Sequence, residues 1–172
     1  QVKGSSLLNG VASSFYGFSN TGDVIHKCKY ESREDFPEFF LQQMVRTFKI
    51  KLGSEKFDLM VYVPPAVSGD LVKNFTVKLS EKLNIPLSHG LSKNRITKEQ
   101  KIFENSYLKK DNVSGAFRYN NPKEICGKSI LLIDDVFDSG ATIKEVGKYL
   151  TKCGAGKIIP LVIAKTIGGD VL

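Results

Sequence analysis

The chain has 172 residues, 41% of them apolar, and a formal net charge of +7. This length and apolar content suit one buried core, so we expect residues 1–172 to form a single domain. No apolar run approaches the ~20 residues of a membrane span and no secretory leader precedes the first strand, so we expect a cytoplasmic protein with no membrane partner. The positive charge suits a nucleic acid or a polyanionic small ligand, and composition does not choose between them.

The cysteines and the first residue bear on two further questions, whether the chain forms disulfides or a zinc site and whether it is part of a longer polypeptide. Three cysteines, an odd number with no CxxC pair, favour reduced thiols over a disulfide framework or a zinc site. The chain starts at Gln1 rather than at a methionine, so we expect it to be trimmed or cut from a longer polypeptide.

Helix and strand patterns alternate along the chain. Apolar residues recur at helical spacing in three stretches, and each stripe predicts an amphipathic helix. The stripes are Phe40, Met44, Phe48, Leu52; Leu71, Phe75, Leu79, Leu83; and Ile143, Val146, Leu150, Cys153. Strands are predicted for DLMVYV (58–63), NIPLSHGL (84–91), NVSGAF (112–117), SILLID (129–134) and IIPLVIA (158–164). This alternation predicts an α/β fold, with an open, mostly parallel sheet flanked by helices on both faces.

The segment SILLIDDVFDSGATIKEV (129–146) carries the strongest functional signal. Asp134 and Asp135 end an apolar strand, and ligands of parallel sheets bind beyond the carboxyl ends of strands. Two carboxylates there suit a diol or a hydrated metal ion. Residues 139–142 open a helix, whose free N–H groups favour a phosphate. Together these features predict a ribose 5-phosphate site.

Other interpretations of this segment are weaker. Paired aspartates after a strand also occur in response-regulator-like metal sites, and an Asp before a Ser-Gly turn can simply cap a helix. The chain contains neither GxxxxGK[ST] nor GxGxxG, which excludes a Walker loop and a dinucleotide loop.

ILLIDDVFDSGAT resembles the phosphoribosyl pyrophosphate (PRPP) binding motif of the type I phosphoribosyltransferases. Upstream, IHKCKY (25–30), KNRITKEQ (93–100) and KKDNVSGAF (109–117) resemble segments of the competence-protein (ComF-like) branch. A similar domain is fused behind some bacterial RecQ-type helicases, so DNA would be at most an indirect partner. The resemblance covers most of residues 23–166. It implies the fold of that family, including a small irregular hood over the site, for which residues 1–22 and 164–172 are the expected sources.

The resemblance also implies roles for particular residues. The two acids would hold the ribose hydroxyls of PRPP and help to bind Mg²⁺, and the following loop would wrap the 5-phosphate. The loop residues concerned are Asp138, Ser139, Gly140, Ala141 and Thr142.

Pyrophosphate would be bound by two other segments. Lys93, Arg95 and Lys98 would lie on a mobile basic loop that closes over the site, with Arg95 and Lys98 acting in catalysis. Ser68 belongs to the loop at 64–69, where the family binds pyrophosphate through backbone amides. The ComF-like branch usually has Arg-Gly-Phe-Asn nearby, and here Lys-Asn-Phe (73–75) is the nearest approach, so this contact is the least supported.

The implied activity is Mg²⁺-dependent transfer of ribose 5-phosphate to or from a nucleobase-like acceptor, with pyrophosphate as the other product or substrate. Asp138 matches a loop Asp that is thought to assist proton removal from the purine in hypoxanthine-guanine relatives, or it only caps the helix. The acceptor base and the oligomeric state, including a homodimer, stay open. The alternative function is a PRPP or nucleotide sensor, or an accessory module of a DNA helicase or DNA-uptake system, without turnover.

Overall fold

The structure, a computed structural model, describes residues 4–16, 20–65, 69–94 and 116–166. Within these ranges the strands are β1 Val11–Tyr16, β2 Leu59–Tyr62, β3 Leu87–Ser88, β4 Leu91–Lys93, β5 Phe117–Tyr119, β6 Ser129–Phe137 and β7 Lys157–Thr166. Five of them form a parallel sheet in the order β1-β7-β6-β2-β3, while β4 and β5 pair as an antiparallel ribbon. The predicted open, mostly parallel sheet is confirmed.

Helices cover both faces of this sheet. They are α1 Thr21–His26, which continues into a π-helical turn Lys27–Glu31, then α2 Glu38–Lys51, α3 Leu71–Leu83 and α4 Ala141–Lys152, with a 3-10 turn at Pro122–Glu124. The first three pack into one apolar cluster with the sheet, and α4 packs into a second cluster with the β4-β5 ribbon. Each predicted amphipathic stripe therefore lies on a helix. Within the described ranges, every helix is too short or too polar to cross a bilayer.

Burial on both faces explains why the middle of β6 is continuously apolar. Leu131 and Ile133 belong to the cluster of α1, α2 and α3, whereas Ile130 and Leu132 belong to the cluster of α4. Successive side chains of a strand point to opposite faces. This alternation does not continue through the two acids that follow in β6, because Val136 packs against the same cluster as Ile133 and Phe137 lies in the other cluster.

Several predicted strands differ from the structure. The strand predicted at 84–91 contains only the two-residue β3 Leu87–Ser88, which pairs with β2, and the first residue of β4 Leu91–Lys93, which pairs with β5. β6 does not end at Asp134 but continues to Phe137, because pairing with β7 reaches Phe137–Lys165 after pairing with β2 has stopped at Ile133–Tyr62. The acids thus lie inside the strand, in a stretch that extends past the end of β2. Of the strand predicted at 112–117, residues 112–115 lie outside the described residues, and β5 starts at Phe117, after a bend at Ala116.

The expected sources of the hood are also wrong in part. Residues 11–16 form an edge strand of the main sheet, and residues 164–166 end β7. The sequence VASSFY lacks an alternating apolar pattern because its serines bond within the protein. Ser13 Oγ donates to the carbonyl of Ile163 at 2.8 Å, and the hydroxyls of Ser14 and Thr21 are 3.0 Å apart. Of the other expected hood residues, Leu7 forms a parallel bridge with Ile158 and Thr21 begins α1, while 1–3, 17–19 and 167–172 lie outside the described residues.

Candidate functional site

A cavity of about 250 Å³ opens where β6 extends past β2. Its lining includes five of the residues predicted for the site and two that were not predicted, Lys29 and Tyr30. The predicted residues are Lys93, Asp134, Asp135, Asp138 and Thr142. Positions far apart in the sequence thus meet at one edge of the sheet, as expected for a ligand site in a parallel α/β fold.

The two aspartates are held by short backbone hydrogen bonds. The amide of Asp135 donates to Asp134 Oδ1 at 2.9 Å, and the amide of Val136 donates to Asp135 Oδ1 at 2.7 Å. Each carboxylate is therefore fixed by the amide of the next residue and retains further acceptor positions. The pair is preorganised to accept hydrogen bonds from a ligand.

Asp135 is also neutralised by a lysine from the π-helical turn. Lys29 Nζ lies 2.7 Å from Asp135 Oδ2, and the side chains are 20% and 8% exposed, respectively. Burial by itself would lower the pKa of Lys29, but the charge of Asp135 and its hydrogen bond outweigh burial and raise the pKa above its ordinary value. Lys29 is therefore charged at neutral pH, and the pair is a salt bridge between a buried carboxylate and a partly buried ammonium group.

Asp134 has no such cation within contact among the ion pairs of the described residues. Burial, followed by the adjacent charge of Asp135, raises the pKa of Asp134 to about 8, although the amide of Asp135 and the charge of Lys29 oppose the shift. Two carboxyl groups this close disfavour double ionisation. A cation or a hydroxyl donor at Asp134 would stabilise its charged form.

The loop that leads into α4 depends on Gly140. Its φ of 73° is left-handed, and a Cβ at this position would lie 2.5 Å from Cζ of Phe137. No side-chain hydrogen bond caps α4, so the N–H groups of its first turn, which lack intrahelical acceptors, remain available to a ligand. Ser139 Oγ accepts a long hydrogen bond from the amide of Ala141, at 3.4 Å.

Asp138 does not cap α4. The helix begins after Gly140, and Asp138 Oδ1 instead accepts a hydrogen bond from Thr166 Oγ1 at 2.8 Å. The alternative that this residue only caps the helix is therefore wrong. Asp138 is exposed at the mouth of the cavity, beside the end of β7.

Three predicted residues, Ser68, Arg95 and Lys98, lie outside the described residues. Lys29, by contrast, was missed as a site residue. Its segment IHKCKY carried a family resemblance but no charge pattern that assigns a role. The only signal in the sequence would have been the apolar residues Ile25 and Cys28. Both are buried, and their burial orients Lys29 relative to the sheet.

Comparisons with known proteins identify similar sequences and similar folds. The sequence is 29% identical to the amidophosphoribosyltransferase of Saccharomyces cerevisiae over 110 residues, which are 63% of this chain and 20% of that protein. The fold resembles the purine phosphoribosyltransferase of Pyrococcus horikoshii with a TM-score of 0.51, 20% identity, and coverage of 81% of this chain and 82% of the other.

A longer protein shares the same fold. The glutamine PRPP amidotransferase of B. subtilis superimposes with a TM-score of 0.53 and 17% identity, over 90% of this chain and 31% of the other. The chain thus spans about a fifth to a third of these longer relatives.

Residues 73–169, more than half of the chain, match the family described as the phosphoribosyl transferase domain. This match includes all but the first two residues of α3, the ribbon strands, the acidic pair on β6, and α4. The chain belongs to the phosphoribosyl transferase domain family.

Proposed function

We propose that the protein binds PRPP with Mg²⁺ and transfers ribose 5-phosphate to or from a nucleobase-like acceptor, with pyrophosphate as the leaving or attacking group. One observation carries the proposal: a single cavity is lined by the acidic pair, by Lys93, and by Asp138 and Thr142 from the loop and first turn of α4. A carboxylate pair suits a diol, a helix start suits a phosphate, and a lysine suits a leaving group of high negative charge. The family membership supports the same ligand.

The ribose 5-phosphate would lie between the acids and α4. Asp134 and Asp135 accept hydrogen bonds from the ribose hydroxyls, while residues 138–142 surround the phosphate. Backbone N–H groups at a helix start are suited to an anion, and the hydroxyl of Thr142 adds a donor. Gly140 lets the backbone turn into α4 above the ring of Phe137.

The acidic pair fits a magnesium ion that is only partly held by protein. Within the described ranges, no group of three or more His, Cys, Asp or Glu side chains could hold a metal. Mg²⁺ commonly binds to one or two carboxylates and keeps waters and substrate phosphates as its other ligands. Asp134 and Asp135 would hold the ion, which would supply charge neutralisation for the pyrophosphate.

The chemistry requires stabilisation of charge more than a protein nucleophile. Breaking the bond between C1 and pyrophosphate builds positive charge on the ribose and negative charge on the leaving group. Lys93, at the cavity, and Arg95 and Lys98, which follow it in the sequence, would stabilise the departing pyrophosphate. Asp138 is exposed at the cavity mouth and would accept a proton from the acceptor base.

We further propose that the protein belongs to the ComF-like branch, which its segment IHKCKY resembles; Lys29 of this segment contacts Asp135. As in fusions of that branch, the domain would belong to a longer chain, in which a helicase partner would make any DNA contact. The competing function is a sensor that binds PRPP without turnover. A sensor needs the ribose phosphate site but not the cations that stabilise a leaving group.

Pyrophosphate release tests the proposal. The protein is incubated with PRPP, Mg²⁺ and, in turn, hypoxanthine, guanine, uracil and orotate. We expect release above the buffer rate with at least one base, reduced strongly by Arg95→Gln/Lys98→Gln with little change in PRPP affinity. Tight PRPP binding without release from any base would replace the transferase with the sensor.

A further inference from the structure

The salt bridge between Lys29 and Asp135 occupies the position where a ligand should bind. Lys29 is on the turn Lys27–Glu31, which is anchored in the core by Cys28. In the free protein its ammonium group takes one oxygen of Asp135 at 2.7 Å. Ribose hydroxyls or a hydrated cation that approach Asp135 must compete with Lys29 for this carboxylate.

Lys29 also stands between two cavities. The site cavity of about 250 Å³ and a second cavity of about 350 Å³ share Lys29 and Tyr30 as lining residues. The second cavity extends toward the beginning of α3, where Gly69 and Asp70 line it, and it carries a second cation, Arg33. A ligand longer than ribose 5-phosphate can therefore extend from the acidic pair past Lys29 toward Arg33.

The loop expected to bind pyrophosphate is poorly equipped to do so at its beginning. The first two residues of the 64–69 loop are Pro64 and Pro65, and both line the site cavity. Proline has no backbone N–H and cannot donate to a phosphate. A pyrophosphate beside these two residues receives no backbone donor from them, and Lys29, like Lys93, is a cation that lines the same cavity.

Lys29 is partly buried, with 20% of its side chain exposed, and an anionic partner stabilises such a cation in each state of the protein. Removing one partner of a buried salt bridge leaves an uncompensated charge, and this penalty acts in part on Lys29. If a ligand displaces Lys29 from Asp135, the ammonium group therefore requires a new anionic partner close by. A pyrophosphate that extends into the second cavity would provide one.

We propose that Lys29 exchanges partners on ligand binding: it pairs with Asp135 in the free protein and with the pyrophosphate group of PRPP in the complex. The exchange frees Asp135 for the ribose and places a positive charge on the leaving group. Arg33 supports the outer phosphate from the second cavity. This inference rests on the proposed function, since it requires PRPP in the site.

The test compares three ligands, PRPP, ribose 5-phosphate and inorganic pyrophosphate, by calorimetry on the wild type, Lys29→Gln and Lys29→Arg. Glutamine can still donate a hydrogen bond to Asp135 but carries no charge. Lys27→Gln is the matched control, because Lys27 is an exposed lysine of the same turn. Urea unfolding checks that each variant is folded, and Lys29→Met replaces Lys29→Gln if the glutamine variant does not fold.

We expect Lys29→Gln to weaken PRPP and pyrophosphate binding about tenfold or more, as for a lost charged hydrogen bond. The affinity for ribose 5-phosphate should stay the same or increase, because Asp135 is freed. Lys29→Arg should restore most of the PRPP affinity, and Lys27→Gln should match the wild type.

Equal weakening of all three ligands would overturn the exchange, since Lys29 would then only position Asp135. Unchanged PRPP affinity in Lys29→Gln would overturn it as well. If the wild type binds neither PRPP nor ribose 5-phosphate, the proposed function itself fails and the exchange fails with it.

Discussion

Replacing Gly140 by alanine should destabilise the protein more than the same change at another left-handed glycine. At Gly140 the φ is 73°, and the new Cβ would lie 2.5 and 2.8 Å from Cζ and Cε2 of Phe137. Left-handed backbone costs an L-residue about 1–2 kcal/mol. Phe137 is 3% exposed and cannot move into solvent, so the overpacking adds about 1–3 kcal/mol.

Gly127 is the matched control. Its φ is 70°, and no heavy atom lies within 4 Å of an added Cβ, so Gly127→Ala includes the backbone strain without the clash. Urea unfolding should show that Gly140→Ala lowers the free energy of unfolding by about 1–3 kcal/mol more than Gly127→Ala. Equal losses in the two variants would refute the claim that a Cβ at position 140 clashes with Phe137.

Three further predictions concern single groups. The pKa of Asp134 is raised from 3.8 to about 8, so the folded state keeps a proton that the unfolded state has lost, and stability should fall as the pH rises across this window. Asp134→Asn should flatten this dependence in urea unfolding, and an unchanged slope would contradict the assignment. The hydroxyl of Tyr149 accepts a hydrogen bond from the amide of Tyr119 at 2.8 Å. Tyr149→Phe should therefore lower the free energy of unfolding by about 1–3 kcal/mol. A loss near zero would show that water replaces the hydroxyl. Asp138→Asn should lower the turnover number about 100-fold or more with a purine acceptor. The urea midpoint should stay near that of the wild type, because Asn can still accept the hydrogen bond from Thr166. An unchanged turnover number would exclude Asp138 as the base.

The sequence was sufficient for the parts of the fold that have strong periodicity. The stripe from Phe40 to Leu52 and the apolar segment at 129–134 predicted α2 and the start of β6, because burial of one helix face, or of both strand faces, imposes these patterns. The sequence did not predict β1, because its serines interrupt the alternating apolar pattern. Their hydroxyls form hydrogen bonds within the protein.

The candidate site shows the same division. The acids on β6 and the loop after them form one local motif, which could be recognised from consecutive residues. Lys29 lies more than a hundred residues before Asp135, so their contact depends on the position of the π-helical turn over the sheet edge. The extension of β6 past Asp134 depends on where β2 ends, which is also a tertiary property.

Calorimetric titration of PRPP with Mg²⁺ tests the central claim most directly. The wild type is compared with Asp134→Asn/Asp135→Asn, in which amides of the same shape replace both acids of the cavity. The control, Asp23→Asn/Glu81→Gln, replaces two exposed carboxylates with amides. We predict binding by the wild type and the control, and affinity at least about tenfold lower in the double variant of the acidic pair. Absence of PRPP binding by the wild type, or equal affinity in the two double variants, would contradict the assignment of this cavity as the PRPP site.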